Sequence, residues 1–342
     1  MANADHYALI VAIGRYREYA PLRAPEEDAA RIIRWLIDKG GVPEENIKLV
    51  RATTDGTPIN SDIKEAMKQL DVRDRKRRGS RLYFYYAGHG IGPMFNDVAL
   101  IPADASVDEY DHTFFGIALC FDFLVKTGFF DEVIAFLDCC REEVEVKAIG
   151  FPWEENPPFT GAAANGVNLF AMVGSTHGGK SNELRTPPLD ELRYRGLMTE
   201  VLLDGLNGAP GALEAESGAV TTESLLTYVR RRVEAEATAR SLPQRVDPFA
   251  HSGPPMTLLA QPPTRTLALG ITVGARSAGS PLFVQNMRTM VKTPVAAGAA
   301  GQTLPDVPIA ANTRHQLIVP PLADWPIIDP TTLGTRCDII LP

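Results

Sequence analysis

Cysteine, tryptophan and histidine are scarce in this chain, with four, three and six residues among 342. Cys120, Cys139, Cys140 and Cys337 are too few and too irregularly spaced for a disulfide framework, and no CxxC pair suggests a structural zinc site. The thiols are therefore expected to be reduced. An excess of positive charge is also missing. With a net charge of −8, the chain lacks the basic face that displaces counterions from nucleic acid, so no nucleic-acid partner is expected. No stretch approaches the roughly 18 uninterrupted apolar residues of a membrane span, and no basic segment precedes the short apolar run in MANADHYALIVAIGRY. The expectation is a cytoplasmic protein with no membrane partner. GHGIGP lacks the GxGxxG spacing of a dinucleotide loop. His112, His177, His251 and His315 are isolated, with no metal-ligand spacing, and are read as structural or surface residues.

What is present is an alternation of strand and helix patterns. Tyr7 to Ile13 is an apolar run of strand length, and Glu26 to Gly40 follows with Ala29, Ile32, Ile33, Leu36 and Ile37 at helical spacing. Pro25, first-turn acids and the Gly40-Gly41 pair are read as start and stop signals for that helix. A short strand at Ile47 to Val50, a helix from Ser61 to Leu70, the strand RLYFYYAGHG, and VALIPAD at Val98 to Asp104 come next. A helix at Phe121 to Thr127 then leads into the strand EVIAFLDCC, a Gly/Pro-rich loop (about Glu142 to Gly166) and the strand VNLFAMVGS. Helices at about Leu197 to Leu206 and Thr222 to Arg240 complete this part. Apolar strands separated by helices indicate an α/β fold with a mainly parallel sheet covered on both faces.

The pattern changes after about Leu259. QPPTRTLALGITVG, PLFVQNM, HQLIVPP and RCDIILP are short strand-like runs separated by Pro, Gly, Ala and Ser, without a convincing amphipathic helix. Two domains are expected, over 1–262 and a small β-rich one over 263–342, within which TPVAAGAAGQTLPDVPIAA reads as a loop.

Chemistry in an open parallel sheet collects at the carboxyl ends of strands. Two strands end in reactive residues: one delivers His89 between Gly88 and Gly90, the other delivers Cys139 and Cys140. The histidine lies about 50 residues upstream, a spacing known for a cysteine nucleophile and its histidine. Side chains alternate along a strand, so Asp138 and Cys140 are expected to share one side, and Cys139 to pack as a small buried residue on the other. Cys140 is thus the expected nucleophile, with His89 as proton acceptor and donor. The N–H groups of Gly90 and Cys140 are expected donors to an oxyanion.

YALIVAIGRYREYAPLRAPEEDAARI, LYFYYAGHG, VALIPAD and FLDCCRE together resemble the caspase-like fold of the caspase and metacaspase clan, in order and spacing over roughly residues 6 to 259. The resemblance implies a caspase-like, mainly parallel sheet between helices and a thiol protease acting through His89 and Cys140, with Gly90 helping to form the oxyanion hole. It also implies a pocket. Metacaspases place an aspartate two positions before the nucleophile and another after the first strand, to bind arginine or lysine; Asp138 and Asp28 match them. Two carboxylates favour a basic P1 side chain, while Asp28 also suits a helix first turn. Glu183 is a further candidate for the cleft wall. The chain departs from many metacaspases at Arg141-Glu142, where His-Ser-Gly is common, and at Ala87, where a serine is often found.

No metal ligand set is assigned, and the chemistry itself requires no cofactor. Some metacaspases need calcium, and Asp104, Asp108 and Asp111 form an acidic group, but without EF-hand spacing they read as a solvated loop. Self-processing of a zymogen is expected at Lys147, Arg185 or the basic run Arg73 to Arg81. Bacterial relatives act in stress, defence or regulated cell death, which implies protein or peptide substrates. An activating or inhibitory partner would dock through the C-terminal domain. The alternatives are a catalytically silent adaptor of the same fold, or a protease of the same clan with a different P1 preference.

Overall fold

A computed structural model describes residues 3–52, 62–63, 65–66, 69, 79–93, 97–105, 114–143, 149–150, 166–186, 193–214, 217–260, 266–287, 291–310, 315–320, 326–328 and 336–341. Two compact units emerge, Met1–Asp204 with Thr221–Leu259, and Gly205–Val220 with Ala260–Pro342.

In chain order the elements of the first part are β1 (His6–Ala12), α1 (Pro25–Asp38), β2 (Ile47–Arg51), β3 (Gly79–Ala87), β4 (Gly90–Ile91), β5 (Ala99–Leu100) and β6 (Phe114–Gly116). There follow α2 (Ile117–Thr127), β7 (Phe130–Asp138), β8 (Ile149–Gly150), β9 (Asn168–Val173), β10 (Glu183–Thr186), β11 (Arg193–Gly196), α3 (Leu197–Leu206), β12 (Val220–Thr221), α4 (Thr222–Thr238), β13 (Asp247–Ser252) and β14 (Thr257–Leu259). The central sheet has six strands in the order β13-β9-β7-β3-β1-β2. Five run parallel and β13 closes one edge antiparallel to β9.

The apolar runs of β1, β3 and β7 follow from this position. Residues Leu82 to Ala87 are all buried, as are Val133 to Leu137, because both faces of these strands are covered. Burying side chains such as Phe84 or Leu137 contributes about 1.5–3 kcal/mol each. α1 packs on β1 and β3 through Ala29, Ile32, Trp35 and Leu36, with the Trp35 indole edge-on to Tyr83 at 6.2 Å between centroids. Pro25 opens the helix, and Glu26, Glu27 and Asp28 fill its first turn, where carboxylates oppose the dipole. α4 begins with a capping box between Thr221 and Ser224.

The mainly parallel sheet agrees with the sequence pattern, and several boundaries differ from it. α1 stops at Asp38 with Lys39 as its C-cap, one turn-forming position before the glycine pair. α2 starts at Ile117 rather than at Phe121. VALIPAD contributes only Ala99–Leu100, in the separate small sheet β4-β5-β6-β8. β7 ends at Asp138, so Cys139 and Cys140 lie just beyond the strand. Only scattered residues of the expected Ser61 to Leu70 helix are described. Lys147, residues 73 to 78, Asp108, Asp111 and His112 lie outside the described residues.

The second unit contains β15 (Thr266–Thr272), β16 (Leu282–Asn286), β17 (Lys292–Val295), β18 (Val307–Ala310), β19 (His315–Ile318), β20 (Ile327–Ile328) and β21 (Arg336–Ile340). They form a three-stranded sheet, β18-β15-β21, and a four-stranded one, β17-β16-β19-β20, around Leu269, Ile271, Leu282, Val284 and Leu317. The Ala/Gly/Pro-rich stretch expected as a loop has strands at both ends, β17 and β18, because Lys292–Val295 and Val307–Ala310 complete ladders with β16 and β15. Among the described residues no helix is long and apolar enough to cross a membrane.

Candidate active site

Strand register brings the two reactive residues together. β3 and β7 are parallel neighbours, and their last pair is Ala87 opposite Asp138. His89 and Cys140 each follow two residues later, so they emerge side by side from strands about 4.8 Å apart. The turn after β3 is bonded to β7 through the Gly88 N–H and the Asp138 carbonyl at 3.3 Å. Glycine is required at position 88, because a Cβ there would lie 2.5 and 2.6 Å from the hydroxyls of Tyr86 and Tyr16.

Those tyrosines fix the histidine. The His89 N–H donates to Tyr16 Oη at 2.6 Å, and Tyr86 Oη donates to the His89 carbonyl at 2.6 Å. The imidazole lies tilted against the Tyr16 and Tyr19 rings, with centroids 4.6 and 5.8 Å away. Its Nε2 lies 2.8 Å from the Ala20 carbonyl. A carbonyl only accepts, so Nε2 carries the proton and Nδ1 is left as the basic nitrogen.

Cys140 is half-buried and meets the loop after β9. The Ser181 N–H donates to Sγ at 3.3 Å, and Sγ–H lies 3.6 Å from the Ser181 carbonyl. Burial pushes the thiol above its ordinary range; the Ser181 N–H opposes this, while the negative charges of Glu142 and Asp138 add to it. Cys139 is 1% exposed, and burial raises its thiol much further. Its Sγ lies against Gly90, where an added Cβ would be 2.8 Å from that sulfur and from the Cys140 carbonyl oxygen. Gly90 thus provides the close approach that a larger residue would prevent.

The candidate carboxylates converge on the same place. Asp28, Asp138, Glu183, His89 and Cys140 all line one cavity of about 130 Å³, together with Ser181 and Gly196. Asp138 accepts from Ser181 Oγ at 2.6 Å, Thr199 Oγ1 at 2.7 Å and Thr199 N–H at 3.0 Å. Asp28 accepts from the Gly196 N–H at 2.6 Å and lies 3.4 Å from Arg31 Nη1. Gly196 separates the two carboxylates, and a Cβ there would collide with Asp138 Oδ2 and come within 3.1 Å of Asp28 Oδ2. Burial raises the carboxyls of both Asp28 and Asp138; Asp28 is pushed up to about 8, with the neighbouring Asp138 adding to the effect.

Glu183 plays a different part from the other two. Its Oε1 accepts from the N–H groups of Ala24 at 2.7 Å and Arg23 at 2.9 Å, so its carboxylate ties β10 to the segment before α1. Arg185 lies on β10 opposite Tyr194 of β11. Asp104 is apart from the cavity lining, and among the described residues no group of three or more His, Cys, Asp or Glu could hold a metal ion. Ala20, Tyr16, Ser181, Thr199 and Gly196 were not singled out from the sequence; the glycines and serines of VGSTHGGKSN were the one available signal.

Two stability effects follow. The folded Asp28 carboxyl holds its proton to about pH 8, against an ordinary value of 3.8. Between those values the folded chain binds more protons than the unfolded one, so this group's contribution to stability falls as pH rises through that window. Asp28→Asn is expected to melt higher than the wild type at pH 8, with the gap narrowing toward pH 5, as measured by scanning calorimetry. The second concerns Arg141, which is fully buried, pairs with Asp247 at 2.5 Å and stacks over Phe249. Its backbone is held to the loop after β9 at Gly178 and Gly179. Arg141→Ala removes the packing of a buried side chain and leaves the partly exposed Asp247 without that partner, and urea denaturation is expected to show a loss of about 2–5 kcal/mol, set by the lost packing.

The family model described as Caspase domain matches residues 5–251. The chain is 28% identical over 231 residues to the "probable protease" of a Desulfuromonadales bacterium, covering 61% of this chain and 26% of that protein. It is 29% identical over 104 residues to metacaspase-6 of Arabidopsis thaliana, covering 30% of this chain and 26% of that one. It thus spans about a quarter of the length of these curated relatives. Caspase-1 from Spodoptera frugiperda is among the solved structures it resembles, with a TM-score of 0.44 at 12% identity over 72% of this chain and 90% of that one. A caspase-domain match over most of the chain, on a sheet that presents His89 and Cys140 from adjacent strand ends, places this protein in the caspase-domain family of peptidases.

Proposed function

We propose that this protein is a cysteine endopeptidase that cleaves after arginine or lysine through a dyad of Cys140 and His89. The observation that carries the reading is the register of β3 on β7, which sends both residues into the cavity that also holds Asp28 and Asp138. His89 Nδ1 takes the Cys140 proton, and the thiolate attacks the scissile carbonyl carbon. Negative charge moves to the carbonyl oxygen, which the N–H groups of Gly90 and Cys140 stabilise. Collapse breaks the C–N bond as His89 protonates the leaving amine. Water, deprotonated by His89, then hydrolyses the thioester and regenerates the thiol.

Asp28 and Asp138 supply the specificity. Burial and the neighbouring Asp138 keep the Asp28 carboxyl protonated up to about pH 8, and a guanidinium or ammonium between the two acids offsets the repulsion that opposes ionising both. A cationic P1 group also offsets the charge of Asp138 that helps hold the Cys140 thiol up, so the right side chain favours the nucleophilic form as it binds. The hydrolysis itself needs no cofactor; the acidic group that includes Asp104 reads from its sequence as a solvated loop, and cleavage compared with and without calcium tests for activation by that ion. Self-processing at Lys147, Arg185 or the Arg73 to Arg81 run, control by a protein partner at the C-terminal unit, and a role in cytoplasmic stress, defence or cell-death signalling belong to the same reading.

Cleavage of fluorogenic peptides that differ only at P1 (Arg, Lys, Asp, Leu), with and without calcium, tests it. Hydrolysis confined to Arg and Lys is expected; cleavage after Asp or Leu would overturn the pocket assignment, and silence with every peptide would favour the adaptor reading. Intact mass over a prolonged incubation is expected to show fragments beginning after Lys or Arg in the active protein and a single species in Cys140→Ala.

A further inference from the structure

Between α4 and β13 lies Gln244, about a hundred residues after the nucleophile and only 2% exposed. Its side chain makes four hydrogen bonds. Nε2 donates to the Gly174 carbonyl at 3.0 Å and to Ser181 Oγ at 2.9 Å, while Oε1 accepts from the Asn182 N–H at 2.9 Å and from Asn182 Nδ2 at 3.0 Å. A primary amide can make two donations and accept twice, so its capacity is filled. The amide's orientation is also fixed, because the Gly174 carbonyl can only accept and the Asn182 N–H can only donate.

What it holds is the segment that touches both halves of the candidate site. Gly174 directly follows β9 and is itself bonded to β7 through its N–H and the Leu137 carbonyl at 2.8 Å. Ser181 and Asn182 close the loop, with the Ser181 N–H at Cys140 Sγ and its Oγ at Asp138. Because Gln244 donates to Ser181 Oγ, that hydroxyl has its own proton to give to Asp138. The result is a directed chain from Gln244 through Ser181 to the carboxylate that faces the cavity.

We infer that Gln244 is a positioning residue for catalysis and specificity, which clamps the start and end of the loop after β9 so that Ser181 meets Cys140 Sγ and Asp138 together. This rests on the reading of Cys140 as the nucleophile. It uses no contact between Gln244 and substrate; the residue acts through Ser181.

Two full-length variants test it. Gln244→Met keeps the volume and removes all four hydrogen bonds. Gln244→Glu, when ionised, keeps an acceptor for Asn182 and loses both donations, so it decides the matter should the methionine variant fail to fold. Two readouts are needed: kcat/KM on an Arg-P1 peptide, and the pH dependence of Cys140 alkylation by iodoacetamide, followed by peptide mass. In folded variants kcat/KM is expected to fall about 10- to 100-fold, in the range for losing a buried, charge-assisted contact. The alkylation midpoint is expected to move to higher pH as the Ser181 N–H leaves the sulfur. A merely structural glutamine would lower the melting temperature and leave the midpoint where it was. Folded variants with wild-type kcat/KM and a wild-type midpoint would overturn the inference while leaving the protease reading intact. A shifted midpoint in a protein that cleaves no peptide would support the clamp and count against the protease reading.

Discussion

Cys140→Ala is expected to reduce hydrolysis of an Arg-P1 peptide at least about a thousandfold, with the fold unchanged by circular dichroism. The methyl group cannot form the thioester, so the residual rate comes only from binding and the backbone donors. His89→Ala is expected to fall by a similar factor, since the thiol held up by burial and nearby acids has no other imidazole among the described residues that line the cavity to take its proton. The two losses are not expected to add: once either member is gone, removing the other should cost little more. Cys139 gives the contrast. It is fully buried against Gly90 with a strongly raised thiol, so Cys139→Ala is expected to keep most of the activity and to lose about 1 kcal/mol of stability, as for one small buried group. Equal loss of activity in Cys139→Ala and Cys140→Ala would contradict the assignment of the nucleophile.

Asp138→Asn is expected to have the second largest effect. The carboxylate accepts three hydrogen bonds from Ser181 and Thr199, and asparagine must present an NH₂ where one of those acceptors was. With the ion pair to the P1 cation also lost, a cost of about 2–5 kcal/mol is expected, or roughly 30- to several-thousandfold in kcat/KM for Arg-P1. The loss should be far smaller for whatever residual cleavage occurs after Leu. Asp28 is expected to set the pH dependence. Its carboxyl, pushed up to about 8, must lose its proton to pair with the incoming cation, so binding of a basic P1 residue releases a proton below that pH. The apparent affinity for an Arg-P1 inhibitor should therefore rise with pH up to about 8 and level off, because ionisation supplies the charge the ligand needs. In Asp28→Asn that limb should disappear together with much of the affinity. A KM for Arg-P1 that is unchanged in both variants would contradict the acidic pocket.

The sequence made the central sheet legible because β1, β3, β7 and β9 are continuous apolar runs whose burial on two faces leaves little choice of partner. His89 and Cys140 were legible for the same reason: each stands just past the end of such a run. The register of Ala87 with Asp138 was not written in either strand alone; it is a property of the packed pair. β13 was missed because DPFAHS is polar and half-exposed, as suits an edge strand, and the β10–β11 hairpin because ELRT and RYRG are short and charged. Asp28 read equally well as a first-turn acid, and only the fold shows it turned toward Gly196 and Asp138. Gln244 gave no signal at all. A glutamine in SLPQRVDP is unremarkable until the chain returns it to the loop after β9, where Gly174, Ser181 and Asn182 share its four hydrogen bonds.

Covalent labelling distinguishes Cys140 as the nucleophile of a cleft built for a basic side chain from every other thiol of the chain. The full-length protein would be incubated with peptidyl chloromethyl ketones ending in arginine or aspartate, and the adduct mapped by tandem mass spectrometry. One adduct per chain is expected, on Cys140, formed with the arginyl reagent and far more slowly with the aspartyl one, and weakened in Asp138→Asn. An adduct on another cysteine, or equal labelling by both reagents, would contradict it.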